Sequence, residues 1–221
     1  MQSMAPSLLS SFEEHNHGRV ARIRARLTAF CAEHPLHARF LNMLSLLEHI
    51  GSRKIMTSPA MNALGLDGLK HLAEEARHAF FFKRAAERLA LHPLDYSHAN
   101  TIAGASARLY MGRLDAEISR SVGTAETALP YLYMSLIVEF RAVWLYRLYQ
   151  TVLLEEQAGL TLKSILAEEE LHLGAMAARL RQLDPEVEIR IARFSKFEEA
   201  RFQSLWLQIE EESAAHRLAT E

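Results

Sequence analysis

Cysteine is nearly absent from this sequence, since Cys31 is the only one among 221 residues. A single cysteine cannot form an internal disulfide, a zinc site of paired cysteines or a cysteine-ligated iron–sulfur cluster. The sequence also lacks a basic segment followed by an apolar core near Met1, and it has no uninterrupted apolar run long enough to span a bilayer. We therefore expect a cytoplasmic protein in a reducing compartment, with no attachment to a membrane.

An excess of charge of one sign is also lacking, because 25 Lys and Arg stand against 27 Asp and Glu, for a formal net charge of -2. Without a basic field, binding to nucleic acid is not expected. The composition, 49% hydrophobic and 24% charged, is that of an ordinary globular chain and argues against disorder. The length suits a single domain over residues 1–221 with a sizeable buried core.

Glycine and proline are scarce, with nine and six residues, and alternation typical of strands is nowhere sustained. Apolar residues instead recur at spacings of three and four, which predicts an all-α protein. A capping box formed by Ser195 and Glu198 marks the start of the last helix. The predicted helices cover residues 7–33, 36–56, 68–91, 99–122, 131–154, 161–183 and 195–217, with a short helical turn at 59–64.

Acidic residues lie inside the apolar stretches of four predicted helices. Burying a carboxylate is costly, so each needs a partner or a metal. Two are lone acids, and the helix following each lone acid carries a Glu-x-x-His pair, whose side chains share one helix face. The chain thus contains two similar halves with 26 and 29 residues between lone acid and pair. The residues concerned are Glu48, Glu75 with His78, Glu139, and Glu169 with His172.

This order resembles the ferritin-like di-iron carboxylate superfamily, in which a four-helix bundle holds two metals through four carboxylates and two imidazoles. The resemblance implies a metal-binding bundle over about residues 36–183, with additional N-terminal (7–33), crossover (99–122) and C-terminal (195–217) helices. It implies two iron (Fe) ions as cofactors, with manganese (Mn) as the alternative. The implied metal ligands are Glu75 and Glu169 as bridges, Glu48 and His78 on one metal, and Glu139 and His172 on the other.

The resemblance implies a di-iron oxidase or oxygenase that activates dioxygen to oxidise or hydroxylate a small-molecule or carrier-bound substrate. Electrons would come from an external donor, because no flavin, haem or cysteine-cluster motif is present. A peroxide-reducing rubrerythrin-like protein is an alternative, although Ala142 stands where its extra glutamate would lie. A ferroxidase-type storage protein is a further alternative, which the additional helices disfavour. A non-catalytic metal-binding or helical interaction module also stays open.

Two simpler interpretations compete with a metal site. Composition alone produces about one Glu-x-x-His pair, and a third pair, Glu14 and His17, lies in a polar run that we interpret as a solvated surface. The four acids of the helices could also form ion pairs in a metal-free bundle. Their cations would be Arg53, Arg77 or Arg141.

Other residues near the predicted ligands have weaker claims to function. Tyr146 lies seven residues after Glu139 and is the only catalytic candidate, although a core tyrosine is the simpler interpretation. His71, four residues before Glu75, could support a ligand, although a histidine at the edge of the core is simpler. Glu74, Glu168 and Glu170 are surface acids by default.

Two further features concern small residues near the predicted ligands and apolar residues of the last helix. Near the ligands, small side chains indicate either close helix packing or a cavity for dioxygen or an apolar substrate. These residues are Gly51, Ser52, Ser135, Ala142 and Ala175. In the last helix, Phe202, Leu205 and Trp206 could be buried in a homodimer.

Overall fold

The computed structural model describes residues 4–58, 65–123 and 128–220 of the chain. Over these ranges the protein is all-α and has no β-strand, which confirms that the chain is helical as predicted. The short turn predicted at 59–64 lies outside the described residues. The α-helices are α1 (Met4–Asn16), α2 (Val20–Cys31), α3 (His34–Thr57), α4 (Leu66–Ala90), α5 (Gly104–Val122), α6 (Ala128–Glu155), α7 (Lys163–Leu183) and α8 (Val187–Thr220).

Two compact units make up the chain, each from two separate stretches of sequence. One combines Met1–Thr28 with Asp115–Glu199 and contains α6 and α7; we call it the α6–α7 unit. The other combines Ala29–Leu114 with Ala200–Glu221 and contains α3 and α4; we call it the α3–α4 unit.

Helices α3 and α4 pack as an antiparallel pair in the α3–α4 unit. The Ser45 hydroxyl donates a hydrogen bond to the carbonyl oxygen of Ala79 at 2.6 Å. One turn earlier in α3, Asn42 accepts a hydrogen bond from the ammonium of Lys83 at 2.9 Å. These two links set a register in which residues near 48 in α3 lie opposite residues near 75 in α4, because antiparallel neighbours have position numbers with a nearly constant sum.

Helices α6 and α7 form the corresponding antiparallel pair of the α6–α7 unit. At the turn between them, the side-chain carbonyl of Gln150 accepts hydrogen bonds from the backbone N–H of Leu162 at 2.5 Å and the hydroxyl of Thr161 at 3.1 Å. At the other end of the pair, the buried Tyr133 hydroxyl donates to Asp184 at 2.6 Å. Burial and this bond to a carboxylate raise the pKa of Tyr133.

The apolar helix α6 is long and hydrophobic enough to cross a membrane by length and composition. However, 67% of its most hydropathic window is buried within the protein, as in the core helices of soluble proteins. It also carries the buried charged residues Glu139 and Arg141, which a lipid-facing segment rarely accommodates. Its hydrophobicity is therefore accounted for by its burial in the protein core.

The predicted boundaries of the first helix were wrong. The stretch 7–33 is interrupted, because α1 ends at Asn16 and a 3-10 turn, His17–Arg19, precedes α2. The buried Asn16 side chain donates to the carbonyl oxygen of Phe12 at 2.8 Å, which supplies a local partner where the helix ends. Gly18 in the turn has low helix propensity.

The predicted start of the last helix was also wrong. Helix α8 begins at Val187, so Ser195 and Glu198 lie inside it and form no capping box. Asp184 acts at this helix start instead, since its carboxylate accepts a hydrogen bond from the backbone N–H of Glu186 at 2.9 Å. Glu198 is fully buried and contacts Arg141.

The crossover helix α5 also begins later than predicted, at Gly104 rather than at Ala99. The segment before it is held in an irregular conformation by Asn42, whose side-chain amide donates to the carbonyl oxygens of Asp95 and Asn100, both at 2.8 Å. The bond to Asn100 satisfies a backbone carbonyl that a helix starting at Ala99 would have used internally.

Candidate metal-binding site

Three predicted ligands meet within the α3–α4 unit. Helix α3 contributes Glu48, and α4 contributes Glu75 and His78, whose i and i+3 spacing places both on the face packed against α3. All three residues are buried, with exposed fractions of 7%, 8% and 0%. Each offers a ligand atom, and these atoms lie within 4.8 Å of one another. Their convergence follows from the antiparallel register of the two helices.

The α6–α7 unit brings together the other three predicted ligands. Glu139 of α6 and Glu169 of α7 are buried, with 4% and 1% exposed, and the His172 side chain is 11% exposed. The Nδ1 atom of His172 lies 3.7 Å from Oε1 of Glu139 and 3.6 Å from Oε2 of Glu169. Each unit therefore holds two carboxylates and one imidazole in a buried cluster.

The distances within these clusters fit groups that share a metal ion. A direct hydrogen bond from nitrogen to oxygen spans about 2.7–3.2 Å. Two ligand atoms each about 2.0–2.2 Å from one metal are about 2.8–3.1 Å apart at octahedral angles and about 3.3–3.6 Å apart at tetrahedral angles. The separations of 3.6 and 3.7 Å around His172 exceed the hydrogen-bond range and lie at the upper end of the range for two ligands of one metal.

The donor set also fits a transition metal, because carboxylate oxygens and imidazole nitrogens together accept iron, manganese or zinc. A cation would also offset the cost of burying several carboxylates in apolar surroundings. These buried Glu and His side chains could thus hold metal ions.

Gly51 makes room for one of the predicted ligands. A Cβ atom at this position in α3 would lie 3.0 Å from Oε2 of Glu75, which is tighter than ordinary van der Waals contact. Of the two explanations for small residues near the ligands, close packing applies here, since the Glu75 carboxylate fills the space. For Ser135, Ala142 and Ala175 the choice between packing and a cavity stays a prediction.

His71 lies beside the cluster of the α3–α4 unit. The sequence analysis gave this residue only a weak claim to function. It is 6% exposed, and its Nε2 atom lies 3.4 Å from Oε1 of Glu75. A histidine at the edge of the core does not describe this position. The signal that could have found it is its spacing, because residues i and i+4 share a helix face as residues i and i+3 do.

Two of the acids that adjoin the ligands, Glu74 and Glu170, pair with surface cations. Glu170 is exposed and lies 2.7 Å from Arg147, as expected of a surface acid. Glu74 lies 3.6 Å from Lys70 and 3.9 Å from Arg77. Tyr146 is buried, with 3% exposed, which suits a core tyrosine and leaves its catalytic role a prediction.

The metal-free interpretation names three arginines as partners of the buried acids. In the structure two of them contact other glutamates, and the third is exposed. Arg141 contacts Glu198 at 2.8 Å, Arg77 contacts Glu74, and Arg53 is exposed. The third Glu-x-x-His pair is exposed at both residues, Glu14 and His17, which confirms that it lies on a solvated surface.

Fold and site together define a helical protein with buried clusters of carboxylates and imidazoles positioned to bind metal. Comparisons with protein-family models, with curated proteins and with solved structures gave no match.

Substituting Gly51→Ala should weaken metal binding and should add little to the stability of the metal-free protein. The added methyl group displaces the Glu75 carboxylate, and we expect a loss of affinity of about tenfold, or 1.4 kcal/mol. In the metal-free protein the gain in helix propensity of about 0.5–1 kcal/mol is offset by the same displacement, so the free energy of unfolding should rise less than in a variant without this contact. Isothermal titration with Co²⁺ and urea unfolding after chelation measure the two effects.

The matched control for this prediction is Gly112→Ala in α5. A Cβ atom there meets nothing within 4 Å, so the same gain in helix propensity should leave metal affinity unchanged. Equal affinities for Gly51→Ala and the control would contradict the role assigned to Gly51.

Proposed function

We propose that the two clusters serve one dinuclear centre of a ferritin-like four-helix bundle, and that the protein is a di-iron oxidase or oxygenase. The observation that carries this proposal is the repeated convergence of Glu with Glu-x-x-His on an antiparallel helix pair in each of the two units. Chance placement accounts for one such pair and not for two complete, buried sets. The resemblance of the ligand order to di-iron carboxylate proteins supports the joining of both sets.

Charge balance supports a centre with two divalent ions. Each cluster supplies two carboxylates and one imidazole, which a single divalent ion neutralises. Four carboxylates and two divalent ions then give a centre of zero net charge before other ligands bind, which is the least costly state to bury.

The position of Glu75 supports its proposed role as a bridging ligand. Its ligand atom lies within 4.8 Å of those of Glu48 and His78, and its Oε1 atom lies 3.4 Å from His71. Ligand-type atoms of Glu48, His78 and His71 thus lie close to this carboxylate. By its equivalent place in the repeated order, Glu169 is proposed as the second bridge.

The side chains of this chain would hold and enclose the reacting centre. A ferrous pair, when bound, supplies electrons for the reduction of dioxygen. Four glutamates would hold the ions: Glu48, Glu75, Glu139 and Glu169. Because these side chains are buried, bulk water would be kept away from the ions. The reaction would need an organic substrate and an external electron donor, because the chain has no motif for a second redox group.

Anaerobic loading with ferrous iron followed by exposure to oxygen tests the proposal. We expect about two irons per chain. Absorption spectroscopy should show that oxygen converts them to the ferric form, and oxygen consumption should continue when a chemical reductant is supplied. Faster turnover with hydrogen peroxide than with oxygen would instead indicate the rubrerythrin-like alternative, and growth of a mineral core the ferroxidase alternative. Two bound irons without turnover of either oxidant would leave a metal-binding module.

A further inference from the structure

We propose that His71 is an additional metal ligand, so that α4 contributes three ligating side chains to the centre. This inference rests on the proposed function. It makes the two metal positions chemically different, because one of them receives an imidazole that the repeated Glu and Glu-x-x-His order does not supply.

The helix geometry places His71 in the same row as the other ligands of α4. His71, Glu75 and His78 are spaced i, i+4 and i+7, which forms one continuous stripe along a helix face. All three are buried, with 6%, 8% and 0% exposed. The three side chains therefore face the same side of α4.

The distance between His71 and Glu75 fits shared coordination better than a direct hydrogen bond. The separation of 3.4 Å from Nε2 to Oε1 exceeds the usual hydrogen-bond range of about 2.7–3.2 Å. It lies within the range of about 2.8–3.6 Å expected for two neighbouring ligands of one metal ion.

The two oxygens of Glu75 have different surroundings. His71 lies beside Oε1, while Oε2 lies over Gly51, where a Cβ would be at 3.0 Å. His71 belongs to a different group of ligand-type side chains from Glu48 and His78, and Glu75 belongs to both groups. His71 would therefore ligate the ion on the side of Glu75 that Glu48 and His78 do not serve.

The matching position in α7 carries no ligand. Four residues before Glu169 stands Ile165, which is 2% exposed and has no donor atom. The two halves therefore differ here, because α4 has a histidine where α7 has an isoleucine. An additional nitrogen ligand favours iron, cobalt or zinc over manganese, because imidazole suits those metals while oxygen ligands suit manganese. We therefore expect the position served by His71 to discriminate against Mn²⁺.

The test compares His71→Gln with His37→Gln in full-length protein loaded with Co²⁺, Fe²⁺ or Mn²⁺. His37 is the matched control, since it is a buried histidine of the same unit at 2% exposed, and burial lowers its pKa to about 4, so it is neutral at pH 7. The readouts are metal stoichiometry, competition between Mn²⁺ and Co²⁺, and the number of coupled histidine nitrogens in pulsed electron paramagnetic resonance.

We expect His71→Gln to weaken one of two metal positions by at least tenfold, to reduce discrimination against Mn²⁺ and to remove one nitrogen coupling. Exogenous imidazole should restore that coupling in His71→Ala, which a purely structural role would not permit. Unchanged affinity and unchanged nitrogen couplings in His71→Gln would overturn the inference.

The same experiment separates this inference from the proposed function. Loss of a nitrogen coupling in a protein that turns over neither oxygen nor peroxide would support the ligand and contradict the oxidase. Normal oxygen turnover by the wild type, with metal binding insensitive to His71, would contradict the ligand alone.

Discussion

Replacing Glu75 by alanine is expected to abolish stoichiometric metal binding, with a loss of affinity above about a hundredfold, or 2.7 kcal/mol. The reason is that Glu75 lies close to Glu48 and His78 and to His71, so that the bridging role proposed for it would make both ions depend on it. Metal analysis after anaerobic loading measures the loss directly.

The stability of the same variant should respond in the opposite direction without metal. Removing a buried carboxylate relieves a desolvation cost, so the metal-free Glu75→Ala protein should unfold at the same temperature as the wild type or higher. Metal at a hundred times its dissociation constant should stabilise the wild type by about 2.7 kcal/mol and leave the variant unaffected. Calorimetry with and without Co²⁺ separates these contributions.

The adjacent residue supplies the control, since Glu74 is on the same helix and pairs with Lys70 at 3.6 Å. Glu74→Ala should retain its metal. If Glu75→Ala instead destabilised the protein equally with and without metal, the acid would be structural and the metal-free interpretation would hold.

Local sequence patterns predicted the helices and the convergence of the ligand-type residues within each pair. A lone acid in one apolar helix and Glu-x-x-His in the next meet when the two helices pack antiparallel, as Glu48 and Glu75 do. The periodicity of 3.6 residues and the breaks at proline and glycine are enough to predict where the helices lie and which residues share a helix face.

The same local patterns failed where tertiary contacts decide the outcome. Ser195 and Glu198 satisfy the capping-box pattern, yet Glu198 accepts a hydrogen bond from Arg141 in the core. At the helix start it is Asp184 that accepts the hydrogen bond from the backbone N–H of Glu186. The fit of Gly51 against Glu75 depends on the register between two helices, which no pattern within one helix specifies.

Replacing Glu198 by alanine should cost about 3–5 kcal/mol of unfolding free energy, because it leaves the Arg141 cation buried without its carboxylate. The two side chains are only 5% and 0% exposed, and two guanidinium nitrogens donate to the two Glu198 oxygens at 2.9 and 2.8 Å. Urea unfolding of the metal-free protein measures the loss. The surface acid Glu186, 61% exposed and 3.0 Å from Arg190, is the control, and its alanine variant should lose less than about 1 kcal/mol.

The surroundings of Arg141 explain why the remaining contacts cannot replace Glu198. Its third nitrogen donates to Asn16 at 2.9 Å, and its guanidinium carbon lies 4.6 Å from the ring centre of Phe12 and 4.9 Å from that of Trp144. These neighbours stabilise a cation without neutralising it. The double variant Arg141→Met with Glu198→Leu removes both charges and should recover most of the loss. A single-variant cost no larger than that of Glu186→Ala would contradict this account and indicate that water reaches the guanidinium when the carboxylate is removed.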